Sequence, residues 1–321
     1  MATNTLISPG VLSLENDQSF ITQQPVTVGA AIIGPTVKGP VEVPTIVTSW
    51  SDYQNKFGST FLSGSAVYSY FTSIAAYNYF LNGGETMLVA RVVTGSFTSA
   101  TTSGSYGTPV LNYNTSESVR FATLSKGALM NSTGSIDASG SLISGSVDNI
   151  RYQIANSDTG SGTFSLIIRQ GDDNTNNQIV LETWTNLSMD PTAPNFVSKV
   201  IGDQYKSYNA VDNQVEVNGT YPNASRYVYV ASVSTPTPFY FDNTGVAKTQ
   251  FTASIPTNAS GAFAGATGNL FNGGAANYYN AISSSATNTQ GLNSASYNNM
   301  IALLSNQDDY RFNVLLTPGL F

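Results

Sequence analysis

A chain of 321 residues exceeds what one hydrophobic core usually serves, so two domains, or one core with a large insertion, are expected. Apolar residues make up 41%, but charged residues only 10%, and the net charge is −7; Ser, Thr, Asn and Gly take the place of the missing charge, which gives a hydrogen-bonding surface with little repulsion between copies. With no His and no Cys, the usual zinc sites, Ser-His-Asp and Cys-His catalysis and disulfides are excluded.

The twelve Lys and Arg stand singly between Lys38 and Arg311, so no basic run marks a nucleic-acid site. No apolar run approaches the roughly 18 residues of a membrane span, and no charged-then-apolar leader opens the chain.

Residues 1–20 read as an arm. Ser8-Pro9-Gly10 is a turn, and Val11 to Glu15 a short extended segment with no hairpin partner nearby. Such a strand must pair with something distant or with another chain. Val28 to Gly34 is a run of small and β-branched residues, as in a strand buried on both faces, closed by Gly34-Pro35 and by a second turn at Lys38-Gly39-Pro40. Val41 to Val47 is extended, with Pro44 marking an edge or a strand end. A capped helical turn follows, with Ser49 or Ser51 as N-cap and Gly58 at the stop.

Val67, Tyr70, Phe71, Ile74, Tyr77 and Leu81 fall at three- and four-residue spacing and predict a helix over 65–81, ended by Asn82-Gly83-Gly84. Thr86 to Val93 is a core strand. Strand, turn, helix and strand imply an α/β unit with a partly parallel sheet.

The Ser/Thr/Gly-rich stretch 95–108 leads out of it, and residues 110–250 hold strand-like runs, clearest at Ile150–Ile154, Phe164–Arg169, Ile179–Trp184 and Arg226–Val233. Low-complexity sequence over 253–299 predicts long loops. Helical spacing returns at Tyr297, Ile301 and Leu304, and Phe312 to Leu316 reads as a buried strand before Thr317-Pro318-Gly319. A natural domain seldom stops just after a core strand, so a second half is expected elsewhere.

The predicted fold class is an α/β core, a mixed sheet with flanking helices and incomplete in this chain, with a mostly-β inserted domain and an extended N-terminal arm. The boundaries are 1–20 for the arm, 21–95 for the first part of the core, 96–250 for the insertion, and 251–321 for a low-complexity linker and the return to the core.

Leu181 to Pro191 followed by Asn195 to Ile201 resembles the E-x-[WF]-x-N-L-S-x-D-P … N-[FY]-V-x-x-V-I block of contractile phage tail sheath proteins. Leu6-Ile7-Ser8-Pro9-Gly10-Val11 resembles that family's opening, and Val28 to Gly39 its A-x-[IF]-[VI]-G-P-x-x-K-G-P segment. Phe80 to Gly84 with Leu88 to Val92, Leu270 to Gly274, and Asn313 to Gly319 are similar to later blocks in the same order. Residues 253–299 match poorly, and the family's C-terminal half has no counterpart.

The resemblance implies a subunit of a helical sleeve of stacked hexameric rings in a virion's contractile tail, assembled in the host cytoplasm. Its implied partners are identical subunits, the tail tube protein, and baseplate and tail-terminator proteins, with no nucleic acid and no membrane. The implied motif positions are Gly34, Pro35, Gly39, Pro40, Asn82, Gly83, Gly84, Arg91, Glu182, Asn186, Leu187, Ser188, Pro191, Pro318 and Gly319. The arm residues Leu6, Ile7, Pro9, Gly10, Val11, Leu12 and Leu14 would add a strand to a neighbour's sheet; the plainer reading is a frayed terminus.

Arg91 inside an apolar strand calls for a carboxylate such as Glu85 or Glu42, an inter-subunit surface, or a head that reaches water. Glu182 and Asp190 beside Trp184 would suit a glycosidase pair only if they converged; otherwise they are a solvent-facing Glu and a capping Asp. Asp172-Asp173-Asn174 with Asn176 lacks the spacing and closing Glu of a calcium loop and reads as a turn. The Gly pairs lack the Lys-Ser/Thr of a phosphate loop. No catalytic residue, metal or cofactor is expected, and contraction would draw on energy stored at assembly. The alternative function is a receptor-binding or adhesin module, suggested by the polar, Tyr-bearing β region.

Overall fold

The computed structural model describes residues 27–63, 66–93, 95–102, 118–127, 141–142, 150–171, 173, 176–268, 288–289, 292–293 and 295–320. The expected arm, with Leu6, Ile7, Pro9, Gly10, Val11, Leu12 and Leu14, lies outside the described residues, as does the segment Leu270 to Gly274.

β1 (Thr27–Gly34) is buried from Ala30 onward, as its run of small and branched residues predicts. After the turns at Gly34-Pro35 and Gly39-Pro40, only β2 (Thr45–Val47) of the expected extended stretch is strand. Glu42 takes a left-handed φ of 58° and breaks it. α1 (Trp50–Phe57) opens on Ser49, whose hydroxyl accepts from the Asp52 amide, and closes at Gly58 with φ 71°.

A hairpin of β3 (Thr60–Ser63) and β4 (Ala66–Ser69) occupies the first turns of the expected helix. α2 therefore spans only Phe71–Leu81. β5 (Met87–Arg91) follows, buried throughout.

β6 (Ser99–Thr101), β7 (Val119–Lys126), β8 (Ser141–Leu142), β9 (Arg151–Asp158), β10 (Thr163–Arg169) and β11 (Val180–Ser188) lead to α3 (Val197–Ile201). Next come the hairpin β12 (Tyr205–Asn209) and β13 (Gln214–Asn218), β14 (Val228–Val233), α4 (Thr249–Thr252) and β15 (Ala259–Ala262). The short pair β16 (Asn288–Thr289) and β17 (Leu292–Asn293) precedes α5 (Ala295–Leu304) and β18 (Arg311–Leu316). Residues expected as long loops thus yield a strand: β15 lies along β9, where Gly261 leaves room for the Tyr152 ring.

One sheet has the order β18-β1-β5-β2, with β18, β1 and β5 parallel and β2 antiparallel to β5. Alternate residues serve its two faces. Ile32, Val47, Met87 and Val89 pack with Tyr53, Phe57 and Ala76 of α1 and α2. Ala31, Ile33, Leu88 and Ala90 pack with Tyr297, Met300, Leu303 and Leu304 of α5. The result is a three-layer α/β arrangement.

Between β5 and β18 in sequence lie two further sheets, β11-β10-β9-β15 and β14-β7-β6, both antiparallel. They share a core that includes Phe121, Tyr152, Ile154, Phe164, Leu166, Ile168, Leu187 and Phe263. The protein is a mixed α/β molecule with several sheets and few helices.

Candidate functional site

The residues of the Glu182–Ile201 block hold one junction together. β11 gains an extra residue opposite β10, where Leu166 pairs with Trp184 but Phe164 with Leu187. Asn186 sits in that bulge with φ 57°, a conformation Asn tolerates better than most side chains. The bulge turns Leu187 fully into the core. Asn195 Nδ2 donates to Asn186 O at 2.7 Å, Ser188 N donates to Asn195 O, and Ser188 Oγ accepts from the Asp190 amide. Pro191 follows Asp190 in a turn closed by Ala193 N to Asp190 O, which aims the chain into α3.

Glu182 is not the solvent-facing residue expected. Its Oε2 accepts from Ser225 Oγ at 2.6 Å and Trp184 Nε1 at 3.2 Å, and its Oε1 from the Arg226 amide at 2.9 Å. It ties β11 to the turn before β14. Asp190 Oδ1 accepts from the Thr192 amide and hydroxyl, and Oδ2 from the Tyr240 amide. Burial pushes the Asp190 carboxyl up, but these hydrogen bonds outweigh it and hold the group below the ordinary carboxylate range. Each carboxylate is occupied by its own donors, so the glycosidase reading finds no support.

Asp173 likewise serves Arg169, with Nε–Oδ2 at 2.6 Å and Nη2–Oδ1 at 2.8 Å, and it also accepts from the Ile179 amide. Arg151 Nε lies 3.5 Å away. A carboxylate so committed to two guanidinium groups is not a calcium ligand. Asp172 and Asn174 are outside the described residues.

The glycine motifs answer to close packing and turns. A Cβ at Gly34 would collide with Thr72 Oγ1 of α2, and one at Gly84 with the Tyr79 ring. Asn82 and Gly83 close α2, Gly83 with φ 88°. Pro318 and Gly319, φ 83°, form the turn after β18 closed by Leu320 N to Thr317 O.

Arg91 departs from all of its expected roles. It is fully buried, its Nη1 donates to Gly39 O at 2.6 Å and Lys126 O at 2.9 Å, and its guanidinium lies 5.4 Å from the Phe97 ring centre. It forms no ion pair among the described residues. Carbonyls and an aromatic face take the place of a carboxylate, and burial lowers its pKa to about 10. Arg91 thereby ties the Gly39-Pro40 turn and the end of β7 to β5.

Two surfaces stand out by what is left bare. Of the residues whose spacing predicts α2, Ile74 is 47%, Tyr77 44% and Leu81 66% exposed, while Thr72, Ser73 and Ala76 are buried. On the inner side Thr72 packs against Gly34 of β1, where an added Cβ would collide with its Oγ1, and the Tyr79 ring reaches over Gly29. β18, expected to be buried, is the sheet's edge, with Val314 51% exposed. Beside Arg311 and Asn313 it carries Phe312, Val314, Leu315 and Leu316, and among the described residues no strand pairs with its outer edge.

Elsewhere, the singly spaced cations converge. Lys38, Lys56, Lys126, Lys206 and Arg226 line one cavity of about 850 Å³, walled also by Phe97, Tyr205, Tyr227, Tyr229 and Asn223. The expectation of no basic patch holds for the linear sequence and fails in the fold. Nothing in the spacing of these residues could have revealed it.

No protein-family model matches the chain, and neither does any curated protein. Among solved structures it is similar to a sheath tail protein from Listeria innocua, with 12% identity, a TM-score of 0.32 and 76% of this chain aligned to 35% of that one. A sheath tail protein from Desulfitobacterium hafniense shows 12% identity and a TM-score of 0.27, with 70% of this chain aligned to 39% of that one. The aligned part is thus little more than a third of either structure.

Proposed function

We propose that this chain is a structural subunit, without enzymatic activity, of a contractile phage tail sheath. The observation that carries the reading is the pairing of a bare apolar helix face on α2 with an open apolar edge at β18. A folded molecule with ordinary solution exposure seldom presents both. They are surfaces built to be covered by more sheath polypeptide. The ordered sequence motifs point the same way, and those in described residues are spent on turns, bulges and close packing rather than on chemistry.

In this reading the two antiparallel sheets between β5 and β18 form the inserted domain, and residues 1–20 form the arm that adds a strand to a neighbour. Each main-chain hydrogen bond contributes about 0.5–1.5 kcal/mol net, so one short strand is modest. Repeated through a lattice with identical subunits, it becomes strong by multivalency. The sleeve would surround the tail tube protein, end at the baseplate and the tail terminator, and contract by passing from a metastable lattice to a tighter one.

Negative-stain microscopy of the purified chain tests the reading. Tubes or stacked rings are expected. Discrete monomers or trimers that bind glycan would replace it with an adhesin module.

A further inference from the structure

Five of the chain's twelve basic residues line the cavity, against one of its nineteen acidic residues. They arrive from the turn after β1 (Lys38), α1 (Lys56), the end of β7 (Lys126), β12 (Lys206) and the turn before β14 (Arg226). The one carboxylate in the wall, Asp52, is paired with Lys56 at 2.9 Å. Lys38, Lys126, Lys206 and Arg226 form no ion pair among the described residues. Glu42 lies close enough to act on Lys126 through its field, and Glu182 meets Arg226 only at the backbone amide, its other oxygen being taken by Ser225 and Trp184. Burial lowers the Lys38 ammonium to about 8, a desolvation cost that no ion pair of Lys38 among the described residues offsets.

We propose that the cavity receives an acidic segment of a second copy of this chain. This rests on the sheath reading and deepens it by naming one contact. With a net charge of −7, a neighbouring copy carries acidic residues in excess. A concave site of the opposite sign is where an acidic neighbour gains, because a cleft focuses the field of its charges. Its volume suits several side chains of an extended segment. Tyr205, stacked on Tyr229 at 5.1 Å, adds contact area. The contact differs in kind from the apolar faces of α2 and β18: it weakens with salt and theirs does not.

Sedimentation velocity of the 321-residue chain at about 50 and about 500 mM NaCl separates the two. Lys206 and Arg226 are exposed, so Lys206→Glu and Arg226→Glu leave folding intact. Each is expected to weaken low-salt self-association roughly tenfold and to remove its salt dependence. Thr249→Glu, which adds negative charge at an exposed position outside the cavity, is expected to leave association unchanged.

Association that ignores both salt and the cavity variants overturns the inference and leaves the sheath reading standing. Absence of self-association at either salt removes the reading and the inference together. Binding of inorganic phosphate or of a single-stranded oligonucleotide that needs Lys206 and Arg226, with association unmoved, assigns the cavity to a free anion or nucleic acid and overturns it too.

Discussion

The antiparallel region and the parallel sheet are built from similar residues but end in opposite conditions. In the former, β9, β10 and β11 bury their apolar alternation against β7, β14 and α3, and the buried Arg169–Asp173 pair meets its own hydrogen-bonding needs. In the latter, β1 and β5 are covered on both faces, yet α2 turns its largest apolar residues outward and β18 closes nothing. Exposed apolar side chains occur in both regions, Val211, Phe239 and Val246 among them in the former, but in the latter they gather along one helix face and one sheet edge.

The sharpest way to break this contrast is at α2. Ile74→Glu with Leu81→Glu is expected to abolish association under microscopy and sedimentation, while thermal unfolding of the monomer shifts by no more than about 0.5 kcal/mol, as for other exposed positions. A large loss of stability instead would mean that this face already belongs to the core. In the closed region the effects reverse. Asp173→Ala strands the buried Arg169 guanidinium and is expected to cost about 3–5 kcal/mol in denaturant unfolding.

A smaller effect probes the inner face of α2. Gly34→Val forces the helix away from β1 through Thr72 and is expected to cost about 1–3 kcal/mol; the same change at Gly83, where an added Cβ meets nothing, tests backbone strain alone because φ is 88°. Smallest is Asp190→Asn, about 1 kcal/mol near neutral pH. The folded Asp190 carboxyl lies below its ordinary value, so its contribution is present above the unfolded pKa and disappears as pH falls through the folded one. The variant is therefore expected to flatten the acid limb of the stability profile, read by urea unfolding at a series of pH values.

Local signals sufficed where backbone chemistry decides. Ser49 and Gly58 mark the ends of α1 because a hydroxyl satisfies a free amide and a glycine accepts a positive φ. The run from Ala30 to Gly34 and the strand Met87–Arg91 are legible because a parallel strand covered on both faces must be apolar throughout. Asn186 was visible as part of a motif, although its role as the pivot of a bulge was not.

Three things were decided only by the packing of distant segments. The seat of α2 depends on Gly29 and Gly34 of β1, more than thirty positions away, which leave room for Tyr79 and Thr72. Arg91 found carbonyls of Gly39 and Lys126 in place of a carboxylate, a choice set by which turns and strand ends the fold brings alongside it. The basic cavity exists because five separated cations share one wall, and charge is a property of place as well as of sequence. Periodicity and capping act over a few residues, so they mark core strands such as Met87–Arg91 and caps such as Ser49; which face is left bare and where charges meet are long-range outcomes that only the assembled sheets determine.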